Sequence, residues 1–414
     1  MKASKKRLDD KAKNLNSILR IIQKYGPVER KQIQELTQLS WGAVSQYTNA
    51  LLRGGVLTQS LTTESSTGKP PLLLEINNDD NFIIGVDFNF NFIRVMALDL
   101  KGSVVKSYIT TVTDASRIIQ LLITSLEDVI GQLEGKNILT ISISVQGNID
   151  EEQGVALYLS FVPAWRNLKL KEVVENHFGI HTFTFHDPDC IMIAERYFDS
   201  IIQDTYANVI VLNMNMGIGM SLMTHGKLYT TSFGCNGELG HINVVEDGAF
   251  CSCGKKGCLE AYSSKVGIIN RFVEAVNNDR KTVLDKDQVF SITYETIRDG
   301  AVSGDALCVE LFREAGYYLG KALATVSTLL NPDVIILYGL FANDHDLYGE
   351  VTEQAFRDNV YANNNTLLCY SSLTGTAPVL GAAMYAQEKI IKSFLLERTN
   401  DFDNSDTENE KSDL

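Results

Sequence analysis

Two stretches of this chain repeat one order of apolar runs, and the repeat restricts the possible folds more than any other feature. In the first stretch the segments are Phe82–Asp87, Phe92–Asp99, Val104–Thr111, Ala115–Leu133 and Ile138–Val145. In the second they are Asn208–Leu212, Gly219–Met223, Asp305–Leu330 and Val334–Leu337. Short β-branched runs are typical of buried strands, and the longer segments have the period of a helix. The first stretch has the order β-β-β-α-β, and the second follows it with one strand fewer among these runs. We therefore expect the order β-β-β-α-β in both halves.

This order predicts an α/β protein with two lobes and a cleft between them, as in actin-like and hexokinase-like folds. Clefts of this kind are common ligand-binding sites. At roughly 150 residues per domain, the 414 residues provide for two or three domains. A further domain can therefore precede the first lobe.

The composition is that of a globular protein. Hydrophobic residues make up 44% and charged residues 21%, which excludes global disorder and collagen-like repeats. The longest apolar runs, such as Val334–Phe341, fall short of the roughly 18 residues that a membrane helix needs. The positive charges of Met1–Lys13 are not followed by an apolar segment, so no signal peptide is expected. We expect a cytoplasmic protein.

Charge is distributed unevenly along the chain. Residues 1–60 hold 11 Lys/Arg and 4 Asp/Glu, a net charge of +7, so the formal charge of −14 leaves −21 for the other 354 residues. A basic N-terminal part on an acidic protein favours nucleic-acid binding at one end and another ligand at the other. A solvated basic helix would have the same charge, so the interpretation needs a second signal.

That signal is a helix-turn-helix pattern. Asp9–Tyr25 has an apolar helical face, and Gly26-Pro27 ends it because proline cannot continue a helix. Arg30–Thr37 predicts a second, short helix with Ile33 and Leu36 pointing inward. Three helices with a tight turn before the third are the helix-turn-helix plan.

The third helix, Trp41–Arg53, is the expected recognition helix, with Ser40 as its N-cap. Val44, Tyr47 and Leu51 fall on one stripe. The opposite face is small and polar, and can offer hydrogen bonds to base edges in a major groove. The expected DNA contacts, with two lysines outside this helix, are Lys31, Ser40, Trp41, Gly42, Ser45, Gln46, Asn49, Arg53 and Lys69.

A β-hairpin wing is predicted after the third helix. Val56–Ser60 and Pro71–Ile76 would be its strands, and the polar segment Thr62–Lys69 its tip. Lys69 would reach the DNA backbone or the minor groove. Helix-turn-helix patterns also occur in proteins that do not bind DNA, and here the basic charge favours DNA binding.

A metal motif lies in the second half. Cys251, Cys253 and Cys258 fall within eight residues, and His241 precedes them by ten. Three thiolates and one imidazole complete the tetrahedron of a Zn²⁺ ion and leave no open position, which predicts a structural zinc. Clustered thiols without a metal are the alternative. The other cysteines are expected in the core: Cys190, Cys235, Cys308 and Cys369.

The run GELGHINVVEDGAFCSCGKKGCLE, residues 237–260, resembles the signature of the ROK family, which groups repressors and sugar kinases. The segments GVDFNFNFIRVMALDLKG, SISVQGNID, HDPD, NMGIGM, LLNPDVIILYG and VLGAAMYA are similar to further family motifs and follow in family order. KYGPVERKQIQELTQLSWGAVSQYTNALLRGGVL and STGKPPLLLEIN resemble the winged helix and linker of the repressor branch. The resemblance covers nearly the whole chain.

The resemblance implies a sugar pocket. Glu238, His241 and Glu260 match family residues that hold sugar hydroxyls, and carboxylates suit that role because each accepts several hydrogen bonds. His241 could bind zinc through one ring nitrogen and the sugar side through the other. Asp187 matches the family's catalytic base. Two sugar-contacting asparagines of the family are replaced, by His186 and Phe161.

The nucleotide motifs of the family are altered. Asn89 and Phe90 stand where two glycines let backbone amides approach phosphate. A Gly-Thr pair of the second phosphate motif is Asn215-Met216, and a Gly-Gly pair of the adenine region is Tyr338-Gly339. We therefore expect no kinase activity and regard Asp187 as a vestigial base. Weak ATP binding by divergent loops is the alternative.

Together these features predict a sugar-responsive, DNA-binding repressor of carbohydrate genes, with operator DNA and a sugar or sugar phosphate as ligands. A homodimer or homotetramer is expected, since one recognition helix covers too little DNA. The alternatives are a zinc-containing sugar kinase with a DNA-binding head, and a regulator with a vestigial pocket that responds to a partner protein. The expected units are a winged helix (1–78), a sensing domain (79–395) and an acidic disordered tail (396–414). Within the sensing domain, the small lobe would be about 79–187 plus 380–395, and the large lobe about 188–379.

Overall fold

The computed structural model describes residues 2–61, 72–159, 162, 165–198, 206–230, 237–285, 289, 291–339, 344–373 and 375–390, and only the backbone of residues 2–10, 12, 13 and 61. Predictions for Lys69, Phe161, Cys235 and the tail 396–414 lie outside these residues. None of the helices within the described ranges has the length and apolar content needed to cross a membrane.

The N-terminal part, here called the head, contains three helices and a small antiparallel sheet. The helices are α1 (Lys2–Tyr25), α2 (Arg30–Thr37) and α3 (Trp41–Arg53). The strands β1 (Val28–Glu29), β2 (Leu57–Leu61) and β3 (Leu72–Ile76) pair in the order β1-β3-β2. The predicted bounds of the second and third helices and the pairing of the hairpin strands are confirmed.

Two details of the head differ from the prediction. Helix α1 begins at Lys2 instead of Asp9, because no breaker or cap separates the polar residues before Asp9 from the apolar face. Leu36 was expected to point inward and is 54% exposed. Ile33 is fully buried, and Leu36 lies about 60° further round the helix. Because α2 is only eight residues long and its contact face is narrow, that rotation places Leu36 in solvent.

The first lobe is built on a five-stranded sheet with the order β6-β5-β4-β7-β11. Its strands are β4 (Asn81–Phe88), β5 (Phe92–Asp99), β6 (Val104–Thr111), β7 (Asn137–Val145) and β11 (Thr182–His186). Helix α4 (Ile118–Gly131), preceded by a 3-10 turn at Ala115–Arg117, packs against β5 and β6. A second sheet of β8 (Asn148–Asp150), β9 (Val155–Tyr158) and β10 (Arg166–Lys169) leads into α5 (Leu170–Phe178).

The second lobe has a five-stranded sheet of its own with the order β14-β13-β12-β15-β16. Its strands are β12 (Val209–Met214), β13 (Ile218–Thr224), β14 (Lys227–Leu228), β15 (Val334–Gly339) and β16 (Leu367–Tyr370). Its helices are α7 (Glu260–Ser263), α8 (Lys265–Asn277), α9 (Tyr294–Val302), α10 (Ala306–Leu330) and α11 (Gly349–Asn359). Short 3-10 turns occur at Leu239–His241 and His345–Leu347.

The two large sheets have the same topology. Numbered along the chain, the five strands of each sheet follow the order 3-2-1-4-5, with antiparallel pairing among the first three strands and parallel pairing beyond them. The repeat predicted from the apolar runs is therefore confirmed. Helix α6 (Asp187–Phe198) follows the first sheet, and α12 (residues 377–390) packs against β4, where Gly85 approaches the Val379 carbonyl.

Candidate functional site

A cavity of about 370 Å³ lies between the two lobes. This volume is in the range of small-molecule sites. The first lobe contributes Gln146, Gly147, Asn148, Tyr158, Leu159 and His186, followed by Asp187 at the start of α6. The second contributes Asn213, Asn215, residues 217–220, Gly237, Glu238, His241, Cys253, Lys255 and Glu260. All four residues expected to bind sugar therefore line one cavity.

Asp187 stands at the first position of α6 and is buried. Its Oδ2 accepts a hydrogen bond of 2.6 Å from the Asn213 amide. Burial raises the pKa of Asp187 to about 8, and the nearby Asp87 carboxylate adds to the rise. At neutral pH the carboxyl is therefore mostly protonated, and it can donate a hydrogen bond to a ligand more readily than it can accept a proton.

His186 adds a polar atom that has no protein partner. The residue is 8% exposed, and its Nδ1 is buried without a hydrogen-bond partner among the described residues. Burial lowers the pKa of this imidazole to about 4, so the ring is neutral. Gln146 Oε1 is a second buried acceptor that lacks a partner in the described structure. Buried polar atoms are rarely left unpaired, and both residues line the cavity.

Glu260 is held in place by the protein itself. Its Oε2 accepts a 3.0 Å hydrogen bond from the Ile218 amide, and its Oε1 accepts one of 2.9 Å from the Ser252 hydroxyl. Gly217 leaves room for this carboxylate, because a Cβ there would lie 2.5 Å from Glu260 Oε2. Each carboxylate oxygen has a second lone pair, so Glu260 can brace the loop and still face the cavity.

The candidate metal centre adjoins this cavity. One ligand atom from each of His241, Cys251, Cys253 and Cys258 lies within 4.8 Å of every other. The Sγ atoms of Cys253 and Cys258 are 3.7 Å apart, and His241 Nδ1 is 3.6 Å from Cys251 Sγ. Tetrahedral bonds of about 2.3 Å to sulfur and 2.0–2.1 Å to nitrogen require separations of about 3.8 and 3.6 Å. Two of the six separations thus match a tetrahedral site, and the four side chains could hold one metal ion.

His241 joins the two sites. Its Nδ1 faces the sulfur atoms, and its Nε2 lies 3.8 Å from Glu238 Oε2. Burial raises the pKa of Glu238, His241 opposes the rise and Glu260 adds to it. A metal ion would fix the orientation of the ring and, through it, the position of Glu238.

Residues of the three altered motifs make contacts within the protein. The Asn215 side-chain amide donates a 2.7 Å hydrogen bond to Asn213 Oδ1. The Asn213 side-chain amide in turn donates to Asp187 Oδ2. The Asn89 amide is bonded to the Phe92 carbonyl, so it is not free for phosphate. Tyr338 is 3% exposed and belongs to a buried cluster that includes Ile191 and Ala377. At least one altered residue of each motif is thus engaged in a contact within the protein.

The polar face of α3 is open to solvent, as the sequence predicts. Lys31, Ser40, Gly42, Gln46, Asn49 and Arg53 are exposed, Ser45 is half-buried, and Trp41 is 53% exposed. The Ser40 hydroxyl accepts a 3.3 Å hydrogen bond from the Ala43 amide, which confirms the predicted cap. Sequence reasoning missed Arg30, whose Nη2 donates to Asn49 Oδ1 at 2.7 Å and so fixes Asn49 on the outer face.

The chain is similar to proteins of one known family. The model of the ROK family matches residues 83–389. The xylose repressor of Bacillus subtilis (strain 168) is 26% identical over 376 residues, which cover 89% of this chain and 93% of the repressor. The DNA-binding transcriptional dual regulator NagC of Escherichia coli (strain K12) is 28% identical over 337 residues, 80% of this chain and 81% of NagC.

A solved structure is similar over almost the full length. The crystal structure of a ROK family transcriptional regulator, described as a homologue of the E. coli MLC protein, superimposes with a TM-score of 0.77. The match covers 93% of this chain and 98% of that chain at 23% identity. Because 93% of the chain cannot be covered by residues 83–389 alone, the similarity of fold includes the head.

Proposed function

The chain belongs to the ROK family, and on this premise we propose that it is a sugar-responsive transcriptional repressor of carbohydrate uptake or catabolic genes. One observation carries the proposal: the same chain presents an exposed polar helix in a basic head and a carboxylate-lined cavity between two lobes. The relatives named as a xylose repressor and as NagC match the chain over most of its length. Their names support the same class of function for this protein.

The head is proposed to be a winged helix-turn-helix that binds operator DNA. Helix α3 supplies the base contacts, and the exposed Lys31 on α2 contacts phosphate. The β2–β3 hairpin is the wing, with residues 1–78 as the DNA-binding domain and 79–395 as the sensing domain. Two copies of the chain are needed, since a single recognition helix reads only one half-site.

Gln46→Ala should weaken binding to the cognate operator by roughly 1–3 kcal/mol and relax base preference at one position, because a Gln amide pairs with a base edge. The measurement is an operator titration against single-base variants of the site. Gln354→Ala on α11 is the matched control and should leave operator affinity unchanged. Lys31→Ala should weaken all DNA alike and reduce the salt slope by about one unit. Unchanged selectivity in Gln46→Ala would place the recognition register elsewhere on α3.

The cavity is proposed to bind a sugar or sugar phosphate through Asp187, Glu238, His241 and Glu260. Neutral His186 and Gln146 offer two further buried polar atoms to hydroxyls. The ligand must favour one body conformation over another, since equal affinity for both would leave operator binding unchanged.

The metal centre is proposed to hold one structural Zn²⁺ ion per chain, bound by His241, Cys251, Cys253 and Cys258. Three sulfurs and one nitrogen are a donor set typical of structural zinc, and the Cys253–Cys258 and His241–Cys251 separations match its tetrahedron. All four positions are filled by protein, so the ion has no open position for substrate. Its role is to shape residues 241–260 beside the cavity.

Two other functions compete with this proposal. A sugar kinase with a DNA-binding head would consume ATP, and a regulator with a vestigial pocket would bind no sugar. A thermal-shift screen of D-xylose, D-glucose, N-acetylglucosamine and N-acetylglucosamine 6-phosphate distinguishes the regulator with a vestigial pocket from the proposed sugar-responsive repressor. Only the sugar-responsive repressor should be stabilised by one of these ligands. Binding to the folded state alone raises stability by about 2.7 kcal/mol at a hundredfold excess over Kd.

Glu238→Gln should weaken effector binding at least tenfold while leaving effector-free operator affinity near that of wild type. The substitution keeps the shape and removes the charge that attracts hydroxyl donors. Paired operator titrations, with and without the sugar that gives the largest thermal shift, are the measurement. Glu246→Gln is the control, because Glu246 is exposed on the same loop and does not line the cavity. An unchanged sugar response in Glu238→Gln would remove Glu238 from the pocket.

A further inference from the structure

Helix α6 connects the sugar cavity with the head. Its first residue, Asp187, lines the cavity, and Tyr197, next to its last residue, faces α1 of the head. Twelve residues at 1.5 Å each give a rod of about 18 Å. A rigid element with one end in each site can transmit a displacement between them.

At its far end α6 takes part in a cluster of three side chains from three helices, here called the Arg20 cluster: Arg20 of α1, Tyr197 of α6 and Glu388 of α12. Arg20 Nη2 lies 2.8 Å from Glu388 Oε1, and the Tyr197 hydroxyl donates to the same oxygen at 3.0 Å. The Arg20 guanidinium also lies 5.1 Å above the centre of the Tyr197 ring. One carboxylate oxygen thus joins the head to both body helices.

The Arg20 cluster is poorly accessible to water. The side chains of Arg20 and Glu388 are 22% and 16% exposed. A charged pair removed from water is favourable only when its geometry is good. The cluster therefore tolerates a narrow range of positions of α1 relative to α6 and α12.

Helices α6 and α12 are packed too closely to move independently. A Cβ at Gly381 of α12 would lie 1.7 Å from the Cys190 carbonyl oxygen and 3.1 Å from the Ala194 nitrogen, both on α6. The Phe185 and Tyr385 rings stack beside this crossing, 4.2 Å apart. Because packed interiors shift as units, a displacement of α6 must carry Glu388 with it.

A second contact ties the head to the same body elements. The Leu100 carbonyl, at the β5–β6 turn, accepts hydrogen bonds from Gln23 of α1 at 2.6 Å and from Gln387 of α12 at 3.1 Å. The apolar core of the head continues into Leu98 and Val379. The head is therefore docked on α12 and the first sheet through a polar and apolar contact, and is not joined to the body by a linker alone.

We propose that the Arg20 cluster is the point at which the sugar cavity controls the head: a ligand at Asp187 shifts α6 and α12 together, and Glu388 then changes the position of Arg20 and of α1. The inference rests on the proposed function and adds the route by which the effector acts. Glu388 is a positioning residue that contacts neither sugar nor DNA.

The test separates sugar binding from its effect on DNA. Operator Kd is measured with and without saturating D-xylose or N-acetylglucosamine, the two sugars in the relatives' names, and sugar Kd is measured by calorimetry. Wild type should change operator Kd at least tenfold, within the usual range of coupling. Glu388→Gln should reduce that change below threefold and keep sugar Kd within threefold. Tyr197→Phe, which removes one of the hydrogen bonds to Glu388, should give an intermediate ratio.

Reciprocity supplies a second readout. If coupling is lost in Glu388→Gln, operator DNA must also cease to alter the affinity for the sugar. If the variant is only less stable, the ratio of sugar Kd with and without operator DNA stays that of wild type. Glu353→Gln, which removes the charge of an exposed pair with Arg357 on α11, should behave as wild type. A wild-type ratio in Glu388→Gln overturns the proposal.

If wild type responds to neither sugar, the proposed function fails for these ligands, and the coupling is decided without a ligand. Effector-free operator Kd is then compared for Asp187→Asn, Glu388→Gln and the double variant. If the operator Kd of the double variant differs by threefold or more from the value expected from the two single variants, the route through α6 is supported. The free-energy effects of distant, uncoupled sites are additive. Additive effects overturn it.

Discussion

Protein with Cys253→Ser is expected to purify without zinc and to unfold at a lower temperature than wild type, which should carry about one zinc per chain. The serine substitution removes one of four ligands, and the remaining three leave the tetrahedral coordination of the metal incomplete. Loss of a structural metal is one of the few single changes that can exceed about 4 kcal/mol. Metal analysis by mass spectrometry and differential scanning calorimetry measure the two effects.

The same substitution should weaken sugar binding, because His241 faces both the sulfur atoms and Glu238. Cys369→Ser is the matched control: Cys369 lies on β16, outside the four-residue cluster, and should leave the zinc content unchanged. Wild-type protein that contains no metal and keeps full stability in a chelator would refute the zinc proposal.

The elements that sequence reasoning placed well are those whose signals are local. Helix α3 begins after Ser40 and ends before Gly54, and both residues are recognisable in the sequence. Strands β4, β5, β7, β12 and β15 are largely apolar runs, so their order along the chain could be predicted. Strands β11, β14 and β16 were not predicted. Leu36 shows the limit of such signals, because periodicity gives the angle between two side chains but not which side of a short helix its neighbours cover.

The candidate site was predictable where its residues lie close together in sequence. The spacing of Cys251, Cys253 and Cys258 is by itself enough to indicate a metal, and the fold brings the three sulfur atoms together. Gln146 and Asn213 carry no local signal, and only the closure of two lobes places them beside Asp187. Arg20 and Glu388 are 368 residues apart, and neither has a neighbour in sequence that indicates their pairing.

ATP consumption with any sugar is expected to be undetectable, although by sequence resemblance Asp187 matches the family's catalytic base. The turn that should accept phosphate contains Phe90, whose side chain is packed against the core of the first lobe and supplies no donor. Asn215 and Tyr338 are likewise engaged by the protein. A coupled assay for ADP measures turnover, with a ROK-family glucokinase as positive control. A sugar-dependent rate on the order of 1 s⁻¹, ordinary for an enzyme, would establish the kinase alternative.

The pH of that assay separates two causes of inactivity. Because burial raises the pKa of Asp187 to about 8, the carboxyl is mostly protonated at pH 7 and mostly ionised at pH 9. If protonation of the base were the only obstacle, turnover would appear as the pH rises through 8. If the phosphate site is absent, as we propose, the rate stays at background at both values, and thermal-shift measurements show no stabilisation by ATP. Turnover restricted to pH 9 would mean that the nucleotide site still works and that only the ionisation of Asp187 has been lost at neutral pH.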